Sequence, residues 1–301
     1  MERISRVHRT ASSRPPHPGP IVTLLALLAA AGCSGPLAHF PSADTGTPSG
    51  SPVELSALLD KPVGPAPFPV VILLHGCSGM YGAGGALNAR QSEWTKLLLR
   101  EGYGVLNLDS FNPRGVRDVC PFKPQPVQAY RHRAPDARGA LRWLQAQPFV
   151  KADRIAVLGW SHGGLTVLDA VDAVRYPPAK LDGRPDFRVA VSFYPECVSL
   201  VRSGWFTSVP TLLLIGKADD WTPAAPCKEL AERTHTVGTA IEFVSYPGAH
   251  HGFEAPGVPV RVLTGIPTGV NGSTVTIGTD PNARADALRR VPLYLAKYLK
   301  E

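Results

Sequence analysis

The stretch Ile155-Ala-Val-Leu-Gly-Trp-Ser-His-Gly-Gly164 constrains the fold of this chain more than any other. Four apolar residues run into Gly-x-Ser-x-Gly, and Leu165, Leu168 and Val171 follow at helical spacing. That order predicts a short buried strand, a sharp turn and a helix. Glycine lacks a Cβ, so Gly159 and Gly163 admit the turn, which lifts the Ser161 hydroxyl out at the end of the strand. A serine presented in this way is a nucleophile when a base lies nearby. The alternative is a chance Gly-x-Ser-x-Gly on a surface loop.

The rest of the chain alternates in the same manner. Phe68-Pro-Val-Val-Ile-Leu-Leu-His-Gly76 is a continuous apolar run, as in a strand buried on both faces. Further strands are expected at 53–59, 103–109, 187–194, 210–216 and 241–246. Helices are expected at 88–101, where Gly102 supplies the stop, at 135–145, after Ser161, and at 223–234. A last helix opens at Asp280-Pro281, with Leu288, Val291, Leu295 and Tyr298 in line. The Pro/Arg-rich loop 110–126 is long for a compact domain, and such loops usually bind or cover something. Residues 254–280, rich in Gly, Pro, Thr and Val, resist assignment. Strands that alternate with helices give a mostly parallel sheet covered on both faces, in one large α/β domain over 53–301.

The first residues are basic, then apolar from Ile21 to Ala31. Eleven helical residues reach about 16 Å, roughly half of a hydrocarbon core, so 1–32 reads as a signal peptide and not a transmembrane helix. Leu28-Ala-Ala-Ala-Gly-Cys33 resembles a bacterial lipoprotein signal, although Ala30 stands where that pattern prefers leucine. In that reading Cys33 is lipidated and attaches an exported protein to the cell-envelope membrane; otherwise cleavage near Ala31 frees it into the periplasm. Residues 33–52 (Ser, Gly, Pro, Thr) are expected to form a flexible tether. The formal charge is +7, and Arg3, Arg6, Arg9 and Arg14 against Glu2 supply three units of it. The remainder is spread without runs, which argues against a nucleic-acid partner.

A serine hydroxyl needs an imidazole to take its proton and a carboxylate to orient that imidazole. In a parallel sheet such groups gather at the carboxyl ends of strands. Leu212-Leu-Leu-Ile-Gly-Lys-Ala-Asp-Asp-Trp-Thr-Pro223 offers Asp219 and Asp220, and Tyr246-Pro-Gly-Ala-His-His-Gly-Phe253 offers His250 and His251. The residues alone leave both doublets open.

Four motifs in order, His75-Gly76, Gly159-Trp-Ser-His-Gly163, Gly216-x-x-Asp219-x-x-x-Pro223 and Tyr246-Pro-Gly-Ala-x-His251-Gly-Phe253, resemble the dienelactone hydrolase family of α/β-hydrolases. The resemblance spans about residues 53–301. It implies an α/β-hydrolase fold with an eight-stranded, mostly parallel sheet, and a triad of Ser161, Asp219 and His251. Members named for dienelactone chemistry use cysteine where this chain has Ser161, which counts against that substrate but not against hydrolysis. Backbone N–H groups of His162 and Cys77 are then expected to hold the oxyanion. His75 should brace its loop, and the His162 imidazole is an alternative base. The strand order of the fold makes Cys77–Cys120 and Cys197–Cys227 the expected disulfides, with free thiols as the alternative. No cofactor is implied, and no Cys-x-x-Cys spacing suggests a metal.

The function this supports is hydrolysis of a small-molecule ester, lactone or thioester through an acyl-enzyme on Ser161. The alternatives are a cutinase-like polyesterase, a peptidase, or a non-catalytic envelope lipoprotein that binds. Loops 78–90, 110–127 and 254–280 would select the substrate, with Arg114 and Arg117 as candidates for an anionic group.

Overall fold

Nearly every continuous apolar run of the sequence becomes a strand of one eight-stranded sheet. The computed structural model describes residues 35–44, 51–177, 179, 181–235, 241–270 and 272–301, with Glu2. The leader and Cys33 lie outside the described residues. The strands are β1 (Leu37–Pro41), β2 (Glu54–Asp60), β3 (Phe68–Leu74), β4 (Gly104–Asp109), β5 (Val150–Trp160), β6 (Val189–Phe193), β7 (Thr211–Gly216) and β8 (Ile241–Tyr246), in the order β1-β2-β4-β3-β5-β6-β7-β8. β1 and β2 are antiparallel to their neighbours, and all pairs from β4 to β8 are parallel.

Parallel strands need covering helices, because their connections cross the faces of the sheet. These are α1 (Ala89–Arg100), α2 (Ala134–Gln145), α3 (His162–Ala170), α4 (Val198–Ser203), α5 (Ala224–His235) and α6 (Pro281–Leu299). α1 and α6 are tied by the ion pairs Arg284–Glu93 and Lys300–Glu101, while α2 packs on α3. The Asn88 side chain caps α1 by accepting from Gln91 N–H at 3.0 Å, and Asp280 caps α6 by accepting from Ala283 N–H at 2.9 Å. Such caps contribute about 1 kcal/mol each.

One expectation is corrected. Within the stretch read as a tether, residues 37–41 form β1, the antiparallel edge of the sheet. Phe40 supplies the reason: it is buried and stacks on Trp143 with centroids 5.1 Å apart. Burying one phenylalanine contributes about 1.5–3 kcal/mol, enough with the strand pairing to order a short edge. Residues 45–50 lie outside the described residues.

Residues 254–280, unassigned from sequence, contain a hairpin of β9 (Arg261–Thr264) and β10 (Thr274–Ile277). Val275 and Ile266 bury themselves with Phe111, Val119, Val127 and the Cys77–Cys120 pair, a second small core beyond the carboxyl ends of the strands. Both expected disulfides, Cys77–Cys120 and Cys197–Cys227, are present.

Candidate active site

Ser161 stands between β5 and α3 with φ 55° and ψ −116°, a conformation a non-glycine residue adopts only when its surroundings hold it. Neighbouring backbone does so. Ser161 N–H donates to the Phe193 carbonyl at 2.9 Å, and Leu165 N–H donates to the Ser161 carbonyl at 2.8 Å. The glycines around it serve close packing, since neither Gly159 nor Gly163 has a positive φ. A Cβ on Gly159 would run into the Gly163 carbonyl, and one on Gly163 into the Leu74 carbonyl of β3.

The loops after β7 and β8 are drawn together by Lys217 N–H to the Tyr246 carbonyl (2.8 Å) and Ala218 N–H to the Ala249 carbonyl (3.1 Å). That approach requires Gly216, where a Cβ would strike the Ala249 carbonyl. It brings His251 Nε2 to 2.9 Å from Ser161 Oγ and His251 Nδ1 to 2.8 Å from Asp219 Oδ2. Asp219 Oδ1 accepts from the N–H groups of Trp221 (2.9 Å) and Thr222 (2.8 Å), so the carboxylate is fixed before it meets the ring. The Thr222 hydroxyl donates to the Tyr194 carbonyl (3.0 Å) and also lies 3.1 Å from both Asp219 Oδ2 and His251 Nδ1. The His251 ring sits between Tyr194 and Trp221, at centroid distances of 4.5 and 4.6 Å.

The doublets separate cleanly. Asp220 points to the hairpin, where its carboxylate accepts from Thr276 N–H (2.7 Å) and the Thr276 hydroxyl (2.9 Å). His250 Nδ1 donates to the Ala218 carbonyl at 3.0 Å and braces the β7 loop. Neither takes part in the chain of contacts from Ser161 to Asp219.

Tyr194, Trp221, Thr222 and Glu254 were not predicted from the sequence. Trp221 and Thr222, two and three residues after Asp219, carry a local signal, the Asp turn that ties their N–H groups to the carboxylate. Buried Glu254 accepts from the Tyr194 hydroxyl at 2.6 Å and pairs with Arg90 at 2.7 Å, which stiffens the floor beneath His251. Burial and the neighbouring Glu254 carboxylate keep the Tyr194 phenol protonated, far above its ordinary range.

His75 is fully buried, donates Nδ1–H to the Gly76 carbonyl at 2.8 Å and packs edge-on against Phe111. The ring thus braces its loop. His162 is no alternative base: its Nδ1 accepts from Arg133 at 2.6 Å. Burial first, then the Arg133 charge, holds both imidazoles well below the ordinary histidine range, hence neutral. Arg114 is committed to a two-pronged pair with buried Asp136 at 2.8 and 2.9 Å, and so is not free for substrate. Arg117 lines a neighbouring cleft with Tyr81 and Asp109 instead of the one that holds Ser161.

Ser161, Cys77 and Trp221 separate two lobes of a cleft. One, of about 280 Å³, runs under the hairpin and is walled by Val258, Leu263, Ile266 and Ile277. The other, of about 220 Å³, is lined by Gln125, Glu196, Thr222 and Thr268 and is more polar. Among the described residues no cluster of His, Cys, Asp and Glu suits a metal ion.

The family model for the dienelactone hydrolases matches residues 55–299. The chain belongs to the dienelactone hydrolase family. Members of this family hydrolyse carboxylic esters or lactones, and the enzyme described here is a carboxylic-ester hydrolase of that kind. This dienelactone hydrolase family member is 25% identical over 211 residues to a Bradyrhizobium protein named probable 2-oxo-3-(5-oxofuran-2-ylidene)propanoate lactonase, covering 65% of this chain and 78% of that one. Its fold is similar to that of a Klebsiella pneumoniae protein assigned to the dienelactone hydrolases (TM-score 0.60, 17% identity, 87% of this chain and 99% of that one). The fold of apo esterase 2 from Thermogutta terrifontis is also similar (TM-score 0.56, 18% identity, 86% and 93% covered).

Proposed function

We propose that the protein is a serine hydrolase that opens a small carboxylic ester or lactone through an acyl-enzyme on Ser161. The observation that carries this is the unbroken chain Ser161 Oγ, His251 Nε2, His251 Nδ1, Asp219 Oδ2, with contacts of 2.9 and 2.8 Å. His251 takes the hydroxyl proton as Oγ attacks the acyl carbon, and Asp219 holds the ring in the tautomer that accepts at Nε2. The tetrahedral oxyanion is held by backbone N–H groups of His162 and Cys77, an effect worth about 10²–10³ in rate per donor. His251 returns the proton to the leaving oxygen, then activates water to release the acid.

The lobe under the hairpin suits an apolar group and the second lobe a polar one. The two lobes, of about 280 and 220 Å³, together fall in the lower half of the roughly 300–1,000 Å³ of ordinary ligand sites, which suits a small ester or lactone. Similarity to a lactonase supports the same choice. A fluorophosphonate should label the wild type but not Ser161→Ala, and p-nitrophenyl esters of graded acyl length, run beside lactones, should show a preference for short apolar acyl groups. A folded wild type that neither labels nor turns over any of these would point instead to a binding protein.

We also infer export to the cell envelope. The basic-then-apolar leader and the two disulfides support it. Incorporation of labelled palmitate at Cys33 in a bacterial host distinguishes a lipoprotein from a free periplasmic protein.

A further inference from the structure

Arg133 ends a π-helical turn, Ala129–Arg133, that leads into α2. Such turns insert one extra residue and often mark functional positions. Here the turn ends on a fully buried guanidinium that reaches the residues flanking Ser161 and Cys77. Its Nη1 donates to His162 Nδ1 at 2.6 Å and its Nη2 to the His75 carbonyl at 2.8 Å. Its centre lies 5.0 Å from the Phe111 ring, and Nε is buried without a partner. Among the described residues, no carboxylate forms an ion pair with it. Asp136 and Asp109 are near enough to act on its charge, but Asp136 grips Arg114, and Asp109 accepts from Asn112 and from Phe111 N–H. Burial draws the guanidinium down to about 9. It is nevertheless a cation in a dry site, and an unpaired buried cation is costly to hold.

The two groups it grips flank the two proposed oxyanion donors. His162 carries one N–H itself. The His75 carbonyl begins the peptide next to the one that supplies Cys77 N–H. We propose that Arg133 is a positioning residue for the hydrolytic reaction: it fixes both donors from behind and sets a positive charge there that favours the tetrahedral oxyanion over the neutral ester. The inference rests on the serine-hydrolase reading above. It fits the neutrality of His162 and His75: the positive charge beside the two donors is then that of Arg133, and His162 can accept its hydrogen bond.

The test compares Arg133→Gln, which keeps a hydrogen-bonding head without charge, with Arg133→Lys, which keeps the charge. With p-nitrophenyl butyrate, Arg133→Gln is expected to lower kcat roughly 10- to 100-fold, less than loss of a donor itself, with KM within about twofold. Binding of a butylboronic acid, which becomes an anionic tetrahedral adduct on the serine, should weaken by a similar factor. Binding of neutral butyramide should not change, and Arg133→Lys should recover most of the loss. Wild-type kcat and boronate affinity in Arg133→Gln would overturn the proposal, as would an equal loss for boronate and amide, which a merely structural role predicts. Should neither variant melt cooperatively, the Arg133 guanidinium N–H signals of the wild type serve instead. They should move on forming the boronate adduct and stay put with butyramide; equal shifts would overturn it. A wild type without turnover or boronate binding sinks the hydrolase reading itself, whereas an active wild type with an indifferent Arg133→Gln sinks only this inference.

Discussion

Asp220→Ala separates the two members of the aspartate doublet by what each holds. The half-buried Asp220 carboxylate accepts from Thr276 N–H at 2.7 Å and from the Thr276 hydroxyl at 2.9 Å, so the loop after β7 grips strand β10 of the hairpin. Hydrogen bonds to a charged group contribute about 1.5–3 kcal/mol each, and partial exposure puts this pair near the low end, about 2–3 kcal/mol together. The backbone bond from Val270 N–H to the Asp220 carbonyl survives the substitution. Opening of the hairpin should therefore become about 30- to 150-fold more frequent. Hydrogen exchange of the amides in 261–277 reads this directly, against unchanged protection in β5 to β7. The chain from Ser161 to Asp219 is untouched, so kcat on a small activated ester should fall less than about tenfold, while KM for an ester with an apolar acyl group rises as the wall of Leu263, Ile266 and Ile277 loosens. A thousandfold fall in kcat with the hairpin still protected would refute the reasoning and make Asp220 the partner of His251.

Asp219→Asn should lower kcat by about 10³–10⁴ with folding intact, because the amide can donate to His251 Nδ1 and so favours the wrong tautomer; stopped-flow acylation with a p-nitrophenyl ester measures it. Gly163→Ala should fail to give folded protein, or melt far below the wild type, since its methyl group would occupy the space of the Leu74 carbonyl. Circular dichroism melts check this, with Gly102→Ala as a control for positive φ in open space. Asp169 is raised to about 7 by burial, and its Oδ2 has no partner. The folded state then keeps a proton that the unfolded chain releases above its ordinary value of 3.8, so stability is full below about pH 4 and declines up to about pH 7. Asp169→Asn should remove that slope, by at most a few kcal/mol, when urea midpoints at pH 5 and pH 8 are compared.

The strands were legible because parallel strands are buried on both faces and so leave uninterrupted apolar runs such as 70–74 and 212–215. The nucleophile turn was legible because its geometry is local: strand, glycine, serine, glycine and helix are contiguous. β1 was missed because an edge strand of five residues with one buried aromatic, Phe40, reads like the linker around it. The hairpin in 254–280 was missed because β9 is almost wholly exposed and leaves no alternation of apolar and polar residues. In the site, the order Ser, Asp, His could be read, yet the choice within each doublet rested on resemblance to a family. Tyr194 and Glu254 had no signal at all, because they meet His251 and Arg90 through contacts between distant parts of the chain. Arg114 misled for the same reason: nothing near it in sequence announces Asp136 as its partner.

The doublets themselves follow from the way a chain leaves a strand. Beyond β7 and β8 the chain leaves the strand, and in the turns that follow adjacent residues send their side chains to different partners. Asp219 and His251 turn toward Ser161; Asp220 turns to the hairpin and His250 back to the Ala218 carbonyl. Each of these members of the proposed triad thus has a neighbour that fixes its loop to something else. The consequence is a coupling between cleft wall and imidazole: Gly278 N–H donates to the His251 carbonyl at 3.1 Å, just past β10, while Asp220 holds β10 itself. On the proposed mechanism, a hairpin seated by an apolar acyl group steadies the imidazole that takes the serine proton. Esters that fill the lobe under the hairpin should gain in kcat as well as in KM, and in Asp220→Ala that gain in kcat should shrink while the rate on acetate esters, too short to reach the hairpin, stays nearly the same.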